Sequence, residues 1–219
     1  MALKRKAYER FEFWKRNKSK QALLVTGARQ VGKTYLVREL MQSHYPNSVE
    51  INLADDAAAR RSFEAATDAD DLMLRISVAA DAHLVPHETA IFLDEIQECP
   101  NVMEHIKLLV DRGEYDFILS GSLLGVKLEG ADSLPGGYLT QVEMFPLDFE
   151  EFCWANGLPE AAWDEACKAF ASRTPVPDFI HEKLLKLFHR YLLVGGMPDA
   201  VNAFLGSGVI DQVRVSQSE

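Results

Sequence analysis

The sequence lacks any apolar run long enough to cross a membrane, which takes about 20 consecutive apolar residues. Its N-terminus, MALKRKAYERFEFWKRNKSK, has neither the apolar segment nor the small-residue cleavage site of a secretory signal. Cysteine is scarce as well, with 3 in 219 residues and no C-x-x-C spacing, which argues against a disulfide framework. We therefore expect a cytoplasmic protein without membrane association, whose thiols are reduced and lie in the core.

Positive charge is scarce outside the first 20 residues. Residues 1–20 carry eight Lys or Arg and two Glu, whereas the remainder carries 15 basic and 31 acidic residues. Such an acidic body argues against a broad nucleic-acid footprint, because that binding depends on neutralising phosphates. Tyr8, Phe11 and Trp14 recur every third residue. We interpret residues 1–20 as a basic helix with one buried stripe and a solvated charged face. Binding of a polyanion by this segment is the alternative.

Three short apolar runs and two further segments are typical of strands, and helical patterns at 35–45, 68–83 and 101–113 alternate with them. The expected strands are 22–26, 48–53, 90–94, 117–121 and 139–145. Strands that alternate with helices predict an α/β fold with a parallel sheet covered on both faces. After Pro146 the pattern is helical to the end, interrupted by Gly and Pro breakers. The sequence therefore predicts two domains, 1–146 with the sheet and 147–219 with helices only.

A phosphate-binding loop is predicted between the first strand and the helix after it. GARQVGKT at 27–34 matches the pattern G-x-x-x-x-G-K-[ST] at every fixed position. Its glycines allow backbone conformations that aim N–H groups at an anion, and the helix N-terminus adds positive charge. We expect Lys33 to reach the β- and γ-phosphates and the Thr34 hydroxyl to bind Mg²⁺. The predicted nucleotide-binding residues are Gly27, Ala28, Arg29, Gln30, Val31, Gly32, Lys33, Thr34 and Tyr35. For Arg29, an ion pair outside the site is the alternative role.

An acidic pair ends the strand within AIFLDEIQ, at 90–97. Because ligands of parallel sheets bind at the carboxyl ends of the strands, we expect Asp94 to hold Mg²⁺ there through its water shell. A solvated strand end is the alternative for this pair. Glu95 would orient and polarise the attacking water. The pair favours hydrolysis, since a kinase for a small substrate needs no water-activating glutamate at this position. Gln97 either contacts the γ-phosphate region or begins the next helix.

Small hydroxyl residues end the strand within FILSGS, at 117–122. Ser120 or Ser122 could hydrogen-bond the γ-phosphate or the attacking water. The alternative for either residue is a serine-capped turn.

In these motifs the sequence resembles the AAA+-type P-loop ATPases of bacteria and archaea. The resemblance rests on GARQVGKT, LDEIQ, LSGS, FPLDFEEF and LLVGGMPDAV, and it covers essentially the whole chain. It implies a five-stranded nucleotide-binding core of the ASCE type over 1–146 and a helical lid over 147–219. It also implies ATP as the nucleotide, Ser120 as the sensor position after the fourth strand, and catalytic roles for Lys33, Glu95 and Ser120. Relatives of this kind generally continue into a further domain of unassigned function, so we expect the native chain to extend beyond residue 219.

Two departures from the resembled family affect the expected activity. Gly195-Gly196-Met197-Pro198 stands where many relatives of the fold place a lid motif near adenine, but Asp199 follows where AAA+ motors often carry a sensor arginine. The motif resembles instead the Gly-Leu-Pro motif of signalling NTPases, which implies that Pro198 touches the base. Gly136-Gly137 stands where a Gly-Arg pair is expected, so no arginine finger is assignable. A finger contributes about 10³–10⁵ in rate where one is used. Hydrolysis by this chain alone is therefore expected to be slow.

The predicted function is Mg-dependent ATP hydrolysis that drives a conformational switch. One alternative is a nucleotide-binding regulatory module with little turnover, and another is a DNA-associated ATPase that uses residues 1–20. The expected partners are ATP and either another protein or the further domain. The chain could form oligomers, but the sequence does not assign an oligomeric state.

Overall fold

The computed structural model describes residues 2–18, 20–122 and 137–207. The chain divides into two compact units. The sheet unit is Ala7–Met144, and the helical unit combines Met1–Lys6 with Phe145–Glu219. Within the described ranges, no helix has the length and apolar character that crossing a membrane requires. The assignment of these units as nucleotide-binding domain and lid stays a prediction.

A five-stranded parallel sheet forms the centre of the sheet unit, in the order β2-β3-β4-β1-β5. All five predicted strands are present, as β1 Ala22–Gly27, β2 Asn47–Asn52, β3 Thr89–Asp94, β4 Asp116–Ser122 and β5 Leu139–Met144. Strands β1 and β3 are buried along their whole length, as expected where both faces of a sheet are covered. Because β4 lies between β1 and β3, the carboxyl ends of these three strands are neighbours.

Helices cover both faces of the sheet. They are α1 Lys6–Asn17, α2 Lys33–His44, α3 Ala57–Glu64, α4 Ala69–Ala79 and α5 Asn101–Arg112. Successive residues of β1 point to opposite faces. Leu23 and Val25 accordingly pack in one cluster with α1 and α2, whereas Leu24 packs in the other with α3, α4 and α5.

Helix α1 is shorter than the helix expected over residues 1–20. It begins at Lys6, whose backbone N–H donates to Glu151 Oε1 over 2.7 Å, and it ends at Asn17. Further on, Lys20 has a left-handed backbone with φ 51°, which a helix cannot continue through. The expected stripe is present, since Phe11 and Trp14 are buried and Tyr8 packs partly against the same cluster.

Helix α3 was not predicted, and α4 is shorter than its pattern indicated. The Asp56 side chain caps α3 by accepting from the N–H groups of Ala58 and Ala59. Helix α4 ends at Ala79, and Asp81 follows with φ 45°. A left-handed residue there turns the chain away from the helix axis, which is why the apolar pattern continues further than the helix does.

The helical unit contains α6 Phe149–Ala155, α7 Glu160–Ser172, α8 Asp178–Val194 and α9 Pro198–Ser207. Gly196, in the loop before α9, packs directly on the backbone of Leu147. A Cβ at Gly196 would lie 2.1 Å from the Leu147 carbonyl oxygen, and the Leu147 N–H donates to the Gly196 carbonyl over 2.7 Å. The Gly-Gly pair therefore has a packing reason within this unit.

The three cysteines are free thiols in different environments. Cys99 and Cys153 are buried, and burial raises the pKa of the Cys153 thiol to about 12. Cys167 is exposed on α7. The expectation that all three thiols lie in the core is therefore wrong for Cys167, which belongs to the solvent-facing side of an amphipathic helix.

Candidate functional site

The loop between β1 and α2 has the backbone of an anion cradle. Gln30 and Gly32 have left-handed backbones, with φ 62° and φ 92°, and α2 begins directly afterwards. Alternation of left-handed and ordinary conformations turns successive N–H groups toward one concavity. Gly27 opens the loop with φ 148°, and a Cβ there would lie 2.2 Å from the Met144 carbonyl oxygen on β5. Only glycine fits that position.

Lys33 is the first residue of α2, and 6% of it is exposed. Its ammonium donates to the carbonyl oxygens of Gly27 over 3.2 Å and Ala28 over 2.9 Å. The charge is therefore held inside the loop rather than in solvent. An ammonium so placed has hydrogen-bond donors for phosphate oxygens at the centre of the cradle.

Asp94, at the end of β3, brings three segments of the chain together. The Thr34 hydroxyl donates to Asp94 Oδ2 over 2.8 Å, and the Ser120 hydroxyl donates to Asp94 Oδ1. Asp94 is 2% exposed and Ser120 is fully buried. The start of α2 and the ends of β3 and β4 thus meet at one carboxylate. Ser120 contacts Asp94 in this arrangement, and its predicted contact with the γ-phosphate stays a prediction.

Glu95 follows Asp94 in a left-handed conformation, with φ 56° and ψ 49°. A non-glycine residue held there costs about 1–3 kcal/mol and persists only where its surroundings fix it. Its Oε2 accepts a hydrogen bond from Gln97 Nε2 over 2.5 Å. Gln97 lies in a short 3-10 helix, Ile96–Glu98, and its Oε1 accepts from the Ser122 N–H over 3.3 Å.

The other predicted residues are placed as follows. Ala28, Arg29 and Gln30 are exposed at the tip of the loop, and Val31 is buried beneath it. Tyr35 is 52% exposed at the start of α2. Pro198 is the first residue of α9 in the helical unit, so its contact with a base stays a prediction. Gly136, part of the pair that replaces the expected arginine, lies outside the described residues.

Two residues near the acidic pair have contacts that sequence reasoning missed. The sequence leaves two roles open for Gln97, and it contains no periodic signal that predicts the bond to Glu95. Arg38, one turn into α2 from Thr34, pairs with Glu50 through two bonds of 2.7 Å and 2.6 Å. The Glu50 hydrogen bonds, with a smaller contribution from the charge of Asp94, raise the pKa of the Arg38 guanidinium. The Arg38 guanidinium is therefore a permanent positive charge near the acidic end of β3.

The donor set fits the groups that the sequence implied. A threonine hydroxyl and a carboxylate are hard oxygen ligands of the kind that Mg²⁺ takes, usually one or two from protein with phosphates completing the shell. The left-handed loop and the buried ammonium suit phosphate oxygens. The arrangement can thus hold a Mg-bound phosphate chain, with one further carboxylate, that of Glu95, beside it.

Comparison with known proteins agrees with this geometry. A family model described as an AAA domain matches residues 19–153, more than half of the chain. No curated protein sequence matches the chain significantly.

Among solved structures, the chain is similar to the Walker-type ATPase PABY2304 of Pyrococcus abyssi. The TM-score is 0.52 at 14% identity, and the match covers 98% of this chain and 71% of that one. PCH-2 of C. elegans matches at TM-score 0.47 and 14% identity, over 96% of this chain and 65% of that one. The Aeropyrum pernix ORC1 protein in complex with DNA matches at 0.45 and 13%, over 69% and 48%. The first likeness shows the fold, an α/β P-loop NTPase sheet, and the other two are too distant to add to it.

Proposed function

We propose, on the premise that the chain belongs to the AAA domain family, that it hydrolyses Mg-ATP and that hydrolysis drives a conformational switch. Family membership supports nucleotide binding and an ATPase-type activity. The dependence on Mg²⁺, the turnover and the switch are the parts that we propose.

The observation that carries the proposal is the hydrogen bond between Thr34 and Asp94, 2.8 Å long. It joins the phosphate loop to the acidic end of β3 in one cluster, next to the buried Lys33. When bound, Mg²⁺ would neutralise charge on the β- and γ-phosphates. Thr34 and Asp94 are the residues that would hold it.

The remaining residues bind and orient. The N–H groups of the loop and the Lys33 ammonium bind the phosphate oxygens. Glu95 has a left-handed backbone conformation. Its carboxylate accepts a hydrogen bond from the attacking water and takes its proton. Positioned general bases of this kind contribute about 10²–10⁴-fold in rate.

The proposal is tested by steady-state phosphate release from Mg-ATP, together with equilibrium binding of ATP. Lys33→Ala should weaken ATP binding on the order of tenfold or more, because charge-assisted bonds to phosphate are lost. Glu95→Gln should bind ATP like the wild type and release phosphate at least about 10²-fold more slowly. Lys107→Ala and Glu104→Gln remove the same groups from the outer face of α5, where both residues are exposed. These controls should change neither quantity.

The alternative without turnover makes a different prediction for Glu95. If the chain only binds nucleotide, Glu95→Gln changes neither binding nor the residual phosphate release, whereas Lys33→Ala still weakens binding. The fixed geometry of Glu95 favours hydrolysis over this alternative.

The ion pairs of residues 1–20 argue against the DNA-associated alternative. Lys4 pairs with Glu160, Arg5 with Glu151, and Lys6 with Asp148 and Glu150. Lys15 and Lys18 both pair with Asp116. Arg16 lies 3.9 Å from Glu12, so six of the eight basic side chains are close to carboxylates, which reduces the charge offered to phosphates. Salt-dependent retention on DNA that is lost on deleting residues 1–20 would support this alternative, and no retention at low salt would remove it.

The conformational switch is tested separately by limited proteolysis of the Glu95→Gln variant. With ATP held unhydrolysed, its digestion pattern should differ from the pattern with ADP. Identical patterns would mean that turnover is not coupled to a change in this chain.

A further inference from the structure

Strand β4 continues beyond the point where β3 accompanies it. The registered pairs of β3 and β4 run from Ala90–Asp116 to Leu93–Leu119, whereas the pairs of β1 and β4 continue to Gly27–Ser122. The last part of β4 therefore borders the phosphate loop on one side. On the other side it meets the residues that follow β3. Two hydrogen bonds form there, from the Ser120 hydroxyl to Asp94 at the end of β3 and from the Ser122 backbone N–H to Gln97 beyond it.

The Gln97 amide uses both of its ends. Its Nε2 donates to Glu95 Oε2 over 2.5 Å, and its Oε1 accepts from the Ser122 N–H over 3.3 Å. A carboxylate only accepts hydrogen bonds and a backbone N–H only donates them. The reverse orientation of the amide would set oxygen against oxygen and N–H against N–H, so the two contacts together fix which way the amide points.

Glu95 needs such a restraint. Its backbone is left-handed, which is unfavourable for a residue with a side chain, and its carboxylate is only partly buried. A free glutamate side chain would sample several rotamers, and a base misplaced by about 1 Å loses on the order of 10²-fold in rate. Among the described residues, Gln97 is the one whose side chain hydrogen-bonds the Glu95 carboxylate.

We propose that Gln97 is a positioning residue that holds the Glu95 carboxylate and ties it to the end of β4. Because Ser122 is in register with Gly27 on β1, the orientation of Glu95 depends on the strand that borders the phosphate loop. A shift at the end of β4 is thereby transmitted to Glu95 through one side chain. This inference rests on the proposed hydrolysis for its consequence in rate, but the link itself can be measured without turnover.

The test compares Gln97→Met with a matched control, Gln21→Met. Gln21 also uses both ends of its amide, donating to the Gly137 carbonyl over 2.7 Å and accepting from Thr140 over 2.9 Å, at the opposite edge of the sheet. Methionine keeps the side-chain volume and removes both bonds in each variant. Gln97→Met should lower kcat for phosphate release between ten- and a hundredfold, with ATP affinity within about twofold of the wild type. Gln21→Met should leave both unchanged. Equal kcat in the two variants would overturn the proposal.

A spectroscopic measurement separates this proposal from the proposed function. The side-chain amide signals of Gln97, assigned by their absence in Gln97→Met, should shift in Glu95→Ala. The Ser122 backbone amide should shift in Gln97→Met and stay in place in Gln21→Met. If the wild type binds ATP without turnover, the proposed hydrolysis is wrong. These shifts then decide by themselves whether Gln97 links Glu95 to Ser122. Unchanged signals would overturn the link even in an active enzyme.

Discussion

Thr34 and Asp94 are 60 positions apart in sequence, and their side chains are joined by a hydrogen bond of 2.8 Å. The bond exists because parallel strands end at one edge of the sheet, and the loop after β1 starts its helix at that same edge. Ser120 approaches the same carboxylate from β4. The site is thus a consequence of strand order, with β4 between the two strands that carry the motifs.

Replacing the Thr34 hydroxyl should change the response to Mg²⁺. Thr34→Val keeps the shape of the side chain and removes one proposed metal ligand, so half-maximal phosphate release should need on the order of tenfold more Mg²⁺. Thr34→Ser keeps the hydroxyl and should titrate like the wild type. The measurement is phosphate release against Mg²⁺ concentration at saturating ATP. Coincident curves for the valine and serine variants would show that Thr34 does not hold the metal.

The strands were the most predictable part of the fold. Strands β1, β3 and β4 are apolar runs that suit burial on both faces, whereas β2 and β5 alternate apolar and polar residues. Helix α3 was missed because its eight residues contain one large apolar side chain, Phe63, although Asp56 provides a cap signal. The loop at 27–34 could be placed because its residue types are fixed by backbone geometry, as at Gly27. The contacts of Gln97 with Glu95 and of Arg5 with Glu151 could not be predicted. Side-chain bonds of this kind leave no periodic pattern in the sequence.

Gly27→Ala should destabilise the chain strongly. The new Cβ would lie 2.2 Å from the Met144 carbonyl oxygen at a backbone φ of 148°, so the strand β5 or the loop must move. We expect a loss on the order of 3 kcal/mol in the free energy of unfolding, measured by urea denaturation. In Gly206→Ala, where the added Cβ meets nothing within 4 Å inside α9, a gain of about 0.5–1 kcal/mol is expected. A Gly27→Ala chain as stable as the wild type would contradict the close approach of β5.

Asp116 should make the sheet unit sensitive to acid. Burial raises the pKa of this carboxyl, but hydrogen bonds from Lys18 and Tyr45, with Lys15 nearby, outweigh burial and hold it below its ordinary value. A carboxyl with a depressed pKa contributes stability above its unfolded pKa of about 3.9, and that stability is lost as pH falls through the folded value. Asp116→Asn should therefore lower the urea midpoint at pH 7, and the difference from the wild type should narrow toward pH 3.

Asp111→Asn provides the comparison for this titration. Asp111 is exposed on α5, and its replacement should change stability by less than about 0.5 kcal/mol at either pH. If the Asp116→Asn deficit were the same at pH 3 as at pH 7, it would come from packing and not from the charge.

Breaking the buried pair of Arg5 and Glu151 should lower the stability of the helical unit. Both side chains are 6% exposed, and Arg5 Nε lies 3.3 Å from Glu151 Oε1. Glu151 also closes the capping box of α6 with Asp148. Arg5→Met leaves a buried carboxylate without its guanidinium, which typically costs about 3–5 kcal/mol. Lys4→Met removes the neighbouring, exposed cation and should cost less than about 1 kcal/mol.

Thermal and urea unfolding of the two variants test this difference. A loss in Arg5→Met that is no larger than the loss in Lys4→Met would mean that the buried pair adds nothing beyond a surface ion pair.

We propose that Glu95 makes this fold a hydrolase, and single-turnover release of phosphate from bound Mg-ATP tests this role most directly. The wild type should release phosphate at least about 10²-fold faster than Glu95→Gln, with equal ATP affinity in both. Equal release rates in the two chains, with ATP bound to each, would contradict the account and leave a nucleotide-binding module in its place.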